Sequence, residues 1–236
     1  MQRKAAHRDR IKIYDRLAPD YDRRHRRWLR HAGGEAQIAL EATVRALVTA
    51  ETTLLDAGCG TGSFVRSLRT DGVSPAEVTV LDASEAMLRH CADLPVKRVR
   101  GQLESLPFDD GAFDMVTCAW ALETVEAPEI AIRELCRVVR PGGILCLVFC
   151  AQEPSGAVAA WLMRQAIIQR GAGQFLSRKA VIEWISDVDG FDVRSIPNSG
   201  PAAALLARRS ALAAAPKICA DPKFYSKQGP RHVESA

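Results

Sequence analysis

Leu54-Leu55-Asp56-Ala57-Gly58-Cys59-Gly60-Thr61-Gly62 is the stretch on which the reading of this 236-residue chain turns. An apolar strand runs into an acid, and the chain then turns tightly on three glycines spaced two apart. A helix follows, with Phe64, Val65 and Leu68 on one face. Glycines at such a turn admit backbone angles that a side chain forbids and let a ligand approach the backbone closely. Amides at the helix start favour negative charge, while Asp56 at the strand end receives hydrogen bonds from a cationic group. A zwitterionic or nucleotide-like cofactor suits both.

Working outward, strand and helix alternate. Strands are expected over 52–56, 77–82, 96–101, 113–119 and 144–150, with helices over 62–69, from Ser84 as cap, and over 129–139. Continuous apolar runs such as Leu145-Cys146-Leu147-Val148-Phe149 suit strands covered on both faces. Arg140-Pro141-Gly142-Gly143 is read as the stop of the helix before them. Further helices are expected over 156–169 and from Ser177 to about residue 188. Segments 191–196 and 202–207 are joined by five residues, too few for a crossover helix, so they are expected to pair antiparallel at the sheet's edge. Ahead of the first strand, helical pieces over 7–31 break at Pro19. Gly33-Gly34 interrupts, and a second helix over 35–49 has Ile38, Leu40, Val44, Leu47 and Val48 as its apolar positions. The expected fold is α/β: a Rossmann-like, seven-stranded, mostly parallel sheet with an antiparallel last strand and a helical N-terminal cap. The expected units are a cap over 1–50, a cofactor domain over 51–210 and a tail over 211–236.

Composition narrows the class. Apolar residues are 47% and charged residues 25%, as in ordinary globular proteins. No apolar run is long enough to span a bilayer, and the charged first thirty residues lack the apolar centre of a signal peptide. The expected location is cytoplasmic. The net charge of +4 is uneven: residues 1–31 hold eleven Lys or Arg against four Asp, a balance of +7 that leaves −3 for the rest. This basic segment is read either as a solvated helix or as a surface for phosphate, anionic lipid or an acidic partner. The seven cysteines include no CxxC pair and no histidine at zinc-ligand spacing, so no metal site is expected.

The glycine spacing Gly58-x-Gly60-x-Gly62 departs from the G-x-G-x-x-G of dinucleotide sites, and a carboxylate at Asp56 would face a pyrophosphate badly. No G-K-[ST] follows, which makes a phosphate-loop nucleotidase a poor fit. Asp82, at the end of the second strand, is placed to take both ribose hydroxyls of an adenosine-containing ligand.

Four motifs together carry a resemblance. They are Leu54 to Gly62; Leu81-Asp82-Ala83-Ser84 with Met87-Leu88; Leu106-Pro107-Phe108-Asp109-Asp110-Gly111-Ala112-Phe113-Asp114; and Glu134-Leu135-Cys136-Arg137-Val138-Val139-Arg140-Pro141-Gly142-Gly143. In this order and spacing the chain, over roughly residues 11–209, resembles the class I S-adenosylmethionine-dependent methyltransferases. The likeness is to the branch with the ubiquinone, menaquinone and small-molecule enzymes. The resemblance implies S-adenosyl-L-methionine as cofactor and S-adenosyl-L-homocysteine as product. It places Asp56, Gly58, Cys59 (through its backbone) and Gly60 under the methionine end, Asp82 at the ribose, and Ala83 and Met87 at the adenine, though Met87 also suits a plain core position. Where related enzymes have Gly-Asp-Ala, this chain has Gly101-Gln102-Leu103; Gln102 can accept from the adenine amine through its amide oxygen, with Glu104 as the alternative. Tyr14 to Asp22 resembles a signature whose tyrosine closes over the methionine end. That role falls to Tyr21 and, to a lesser degree, Tyr14; two tyrosines packing the cap onto the domain is the plain alternative. Trp120 is counted with the cofactor-binding residues and read as acceptor-pocket wall. Glu123 in the same turn is read as a holder of a cationic or hydroxylated acceptor, and Asp114 as structural.

Methyl transfer from an activated sulfonium asks the protein mainly to align the partners and exclude water, so no catalytic base or triad is assigned. The expected acceptor is a small or lipid-like molecule. Peripheral contact with an anionic membrane is expected through residues 23–30, and monomer and homodimer both stand. A protein or nucleic-acid methyltransferase is the alternative, against which Cys118-Ala119-Trp120-Ala121 stands where an Asn-Pro-Pro-Tyr-like loop would be. A non-catalytic cofactor-binding scaffold is the other.

Overall fold

The computed structural model describes residues 11–152, 173–198 and 200–211. Seven strands form one sheet in the order β3-β2-β1-β4-β5-β7-β6. They are β1 (Thr53–Ala57), β2 (Glu77–Asp82), β3 (Lys97–Arg100), β4 (Phe113–Ala119), β5 (Val139–Cys150), β6 (Phe191–Ile196) and β7 (Ala202–Arg209). The first five run parallel, and β7 inserts antiparallel between β5 and β6. The expected sheet and its antiparallel last strand are both present. The expected helix over 156–169 and the tail from 212 onward lie outside the described residues.

Alternation along the central strands sorts side chains onto two apolar layers. One face carries Leu55, Val116, Leu145, Leu147 and Phe149, packed against helix α6 (Pro128–Val138) through Ile132 and Leu135 and against α7 (Arg178–Ser186) through Val181 and Ile185. The other carries Leu54, Val80, Met115, Cys146 and Val148. These meet α3 (Gly34–Leu47) through Leu40 and Val44, and α4 (Ser63–Thr70) through Phe64, Val65 and Leu68. Ser84 caps the short α5 (Glu85–Arg89), its hydroxyl accepting from the Met87 amide at 3.1 Å.

Two local readings change. The helix before β5 ends as expected, but β5 begins at Val139, and Arg140-Pro141-Gly142-Gly143 lies within it. The pairing with β4 jumps from Phe113↔Val139 to Met115↔Ile144, so those residues form a bulge, with Gly142 at φ +81°. Gly33-Gly34 does not interrupt the cap. Residues 11–17 form α1, Ala18–Asp20 a 3-10 turn at Pro19, and α2 (Tyr21–Trp28) passes through a π turn (Leu29–Gly33) directly into α3. Ile38, expected among the inward positions, is 69% exposed, and its neighbour Gln37 is buried instead.

Candidate active site

The carboxyl ends of β1, β2 and β4 open onto one cleft at the point where strand order reverses, the usual ligand position in such sheets. The β1 turn is tied to β2 by the Gly58 and Cys59 amides, which donate to the Leu81 carbonyl at 2.7 and 3.0 Å. Gly58 sits at φ +77°, and a Cβ there would lie 2.3 Å from the Ala121 Cβ, so both angle and space demand glycine. The Gly60 amide donates to Asp82 Oδ2 at 2.9 Å, and the Ser84 amide donates to its Oδ1 at 2.8 Å. Burial raises the Asp82 pKa despite these bonds.

The cleft encloses about 660 Å³ including its mouth. Tyr21, Gly58, Gly60, Asp82, Ala83, Met87, Gln102, Leu103 and Trp120 line it, together with Tyr14 and Glu104. Asp56 and Cys59 face an adjoining smaller chamber behind Tyr21, shared with His25, Gln37 and Ser63. Met87 and Leu103 are both cleft wall and buried core. Glu104 accepts from the Glu126 amide with Oε1 at 3.1 Å, while its Oε2 is buried with no partner among the described residues.

Asp56 is the most informative side chain. It is 2% exposed, Oδ1 accepts from the Thr117 hydroxyl at 2.9 Å, and Oδ2 has no partner among the described residues. Burial pushes its pKa up to about 7. A lone buried carboxylate oxygen beside a glycine turn fits a ligand that brings a cationic donor. Cys59 is different in kind: a hydrogen bond with Cys91, then burial, raises its pKa and holds it as a thiol.

The cap is pinned to this turn by two hydroxyls. Thr61 donates to Asp22 at 2.5 Å, and Ser84 donates to Asp15 at 2.6 Å. Tyr21 therefore lies over Gly60, its ring 3.5 Å from where a Cβ would stand. An aromatic row continues from it. Tyr14 is tilted against Tyr21 at 6.3 Å, His25 stacks on Tyr21 at 5.5 Å, and Trp120 meets His25 at 6.2 Å and Trp28 at 5.7 Å, edge on. Burial pushes the His25 imidazole down to about 4, so it is neutral at pH 7. Trp120 has the left-handed φ of +59°, and its indole donates to Gln37 Oε1 at 2.7 Å.

Sequence reasoning missed His25 and Gln37. His25 follows Tyr21 by one helical turn and so shares its face, a signal that was there to use. Gln37 carried no such mark, because the partner that buries it is 83 residues away. Asp114 stands at the opposite end of the sheet, where its Oδ2 accepts from the Thr53 amide and hydroxyl at 2.7 and 2.6 Å and its carboxylate pairs with Arg140.

Comparisons with known proteins agree with this geometry. The family described as "Methyltransferase domain" matches residues 55–147. A malonyl-[acyl-carrier protein] O-methyltransferase of Enterobacter lignolyticus is 32% identical over 184 residues, covering 75% of this chain and 67% of that protein. A demethylmenaquinone methyltransferase of Lactiplantibacillus plantarum is 32% identical over 153 residues, covering 57% of this chain; the chain spans 60% of that relative's length. Among solved structures, an S-adenosylmethionine-dependent methyltransferase of Thermotoga maritima superposes with a TM-score of 0.64 at 19% identity, over 84% of this chain and 99% of that one. A protein solved in complex with the Haloferax volcanii Trm112 methyltransferase activator matches the fold equally, with a TM-score of 0.64 at 20% identity over 84% and 97% of the two chains. The chain belongs to the class I S-adenosylmethionine-dependent methyltransferases, in the branch that holds the quinone and small-molecule enzymes.

Proposed function

We propose that this protein transfers the methyl group of S-adenosylmethionine to a small-molecule or lipid-like acceptor seated beside Tyr14, Tyr21 and Trp120, leaving S-adenosylhomocysteine. When bound, the cofactor supplies a methyl carbon already activated by a positively charged sulfur. The chain's own residues hold and dry it. Asp82 takes the ribose hydroxyls, with two backbone amides fixing its carboxylate. Asp56 offers its free oxygen to the methionine ammonium. Met87 and Leu103 provide apolar walls for the adenine, and Gln102 or Glu104 accepts from its amine. Tyr21, His25, Trp28 and Trp120 keep water from the reacting centre, which favours in-line attack by a positioned acceptor.

The observation that carries this reading is the free, buried Asp56 oxygen beside a glycine turn whose amide is locked onto Asp82. Calorimetric titration with S-adenosylhomocysteine tests it. The wild type is expected to bind, and Asp82→Ala and Asp56→Asn are each expected to weaken binding by about tenfold or more. Binding unchanged in both variants would remove the assignment. Labelled S-adenosylmethionine, incubated with a fractionated metabolite and lipid extract, then identifies the acceptor.

The same reading includes a cap over residues 1–50 on a cofactor domain over 51–210, and a cytoplasmic location. Among the described residues no helix is long and apolar enough to cross a membrane. Arg23, Arg24, Arg26, Arg27 and Arg30 lie on the exposed face of the cap, whose inner face presents Tyr21, His25 and Trp28. Contact with anionic lipid through this face would bring a lipid-like acceptor to the mouth of the cleft.

A further inference from the structure

Two thiols meet directly beneath the glycine turn. Cys59 belongs to the turn itself, Cys91 lies just past α5, and both are buried. Both sulfurs reach the Gly60 carbonyl, Cys59 Sγ at 3.6 Å and Cys91 Sγ at 3.8 Å, and the two side chains hydrogen-bond to each other. Cys91 has little room to withdraw. A Cβ at Gly62 would stand 2.8 Å from its sulfur. Arg66 on α4 holds the chain on both sides of it, donating to the His90 carbonyl at 2.5 Å and pairing with Asp93 at 2.5 Å.

This pair differs from the other described cysteines. Cys118, Cys146 and Cys150 lie in the sheet and Cys136 on α6, and burial raises the pKa of each, as for inert structural thiols. At Cys91 the hydrogen bond with Cys59, helped by the Arg66 guanidinium, outweighs burial and lowers the pKa. Thiols that share a hydrogen bond lose their first proton as a unit. Cys59 also lines the chamber behind Tyr21, which has room for a water-sized oxidant.

Resting on the methyltransferase reading above for its consequence, we propose that Cys59 and Cys91 form a redox modification site: hydrogen peroxide joins them in a disulfide that distorts the glycine turn and weakens cofactor binding. Once the pair has lost one proton, the Cys59 sulfur attacks one peroxide oxygen. The O–O bond breaks, Cys59 becomes a sulfenic acid, and the departing hydroxide takes the Cys91 proton to leave as water. The Cys91 thiolate then attacks the Cys59 sulfur. The S–S bond forms as the S–O bond breaks, and the second hydroxide takes up the proton first lost and leaves as water. The two thiols give up two electrons, and one peroxide is reduced to two waters. A disulfide draws its sulfurs to about 2.05 Å, closer than hydrogen-bonded thiols stand. The Cys59 amide holds the Leu81 carbonyl and the Gly60 amide holds Asp82, so a shift of Cys59 passes directly to the ribose ligand.

Two readouts test this. Reduced protein is treated with hydrogen peroxide, and non-reducing peptide mapping by mass spectrometry is expected to find Cys59 joined to Cys91 with the loss of two hydrogens. Calorimetric titration is expected to show the affinity for S-adenosylhomocysteine falling by about tenfold or more, then returning after dithiothreitol. That return separates the disulfide from oxidation of Met87 in the cleft wall, which dithiothreitol does not reverse. Cys91→Ala and Cys91→Ser, when reduced, are each expected to bind S-adenosylhomocysteine as the wild type does and to keep that affinity through peroxide treatment. A peptide map without the Cys59–Cys91 bond, an affinity unmoved by the bond, or a peroxide effect that survives in the Cys91 variants would each overturn the proposal. Reduced wild type that binds no S-adenosylhomocysteine refutes the methyltransferase reading and with it the effect on the cofactor, while the peptide map judges the bond on its own.

Discussion

Asp56 and Glu123 share an unusual state: each is buried, each has one oxygen occupied and one free, and each has its pKa pushed up to about 7. In the unfolded chain both would titrate near the ordinary values of 3.8 and 4.5. Below about pH 4 folded and unfolded forms are both protonated, and the stabilising contribution is complete. As pH rises from about 4 to 7 the unfolded carboxyls ionise while the folded ones stay protonated, so stability falls. His25, pushed down to about 4 from 6.5, acts in the opposite sense and adds stability as pH rises across that window. Of these three groups, the two carboxyls lose stabilising contribution as pH rises and the imidazole gains it. Asp56→Asn and Glu123→Gln are each expected to raise the urea midpoint at pH 7.5 and to leave it nearly unchanged at pH 4. A midpoint at pH 7.5 equal to the wild type's would contradict this account. The positions of Asp56 and Asp82 were legible because a strand that ends in an acid before a turn places that acid at the sheet's carboxyl edge. Their missing partners were not legible, because an orphaned oxygen is a property of everything packed around it.

Among the elements, the run α2–π turn–α3 departs furthest from its sequence reading. Gly33-Gly34 reads as a break because glycine weakens helices. Here the helix continues, for glycine serves a packing need. A Cβ at position 33 would stand 2.5 Å from the Trp120 ring and 2.7 Å from the Trp28 indole nitrogen. The wider π turn lets the backbone slide under both indoles, as such turns do beside functional sites. Gly33→Ala is therefore expected to destabilise the protein by about 1–3 kcal/mol through overpacking, despite alanine's better helix propensity. The near-ultraviolet dichroism of the tryptophans should change with it. An Ala variant as stable as the wild type, or more so, would show that propensity outweighs the indole contact. The Arg140–Gly143 bulge teaches a related lesson. Arg-Pro-Gly-Gly announces the end of α6 correctly, but its absorption into β5 depends on pairing with β4, which no local pattern encodes.

At the scale of the whole molecule the charge is as divided as the sequence showed, and the fold gathers much of the basic part onto the outer face of the cap. Arg23 pairs with Asp20 at 2.9 Å, while Arg24, Arg26, Arg27 and Arg30 make no ion pair among the described residues. If that face meets anionic lipid, sedimentation with phosphatidylglycerol vesicles should fall sharply when Arg23, Arg24, Arg26 and Arg27 are changed to Gln, and at high salt. Sedimentation unchanged by those substitutions would exclude the contact. The sequence by itself determined the sheet, its antiparallel closing strand and the glycine turn and acids at the carboxyl ends of β1 and β2. Each of those is written in a strand, a turn and a helix adjacent in the chain, where spacing alone places side chains. On the other side of the cleft the sequence marked Tyr14, Tyr21, Trp120 and Glu123 one by one, and only tertiary structure decided how they meet and which residues join them. Tyr14, Tyr21, His25, Gln37, Trp120, Glu123 and Cys150 come from the cap and from the ends of β4 and β5. Only when those segments meet does burial raise one carboxyl, neutralise one imidazole and leave one carboxylate oxygen without a partner among the described residues.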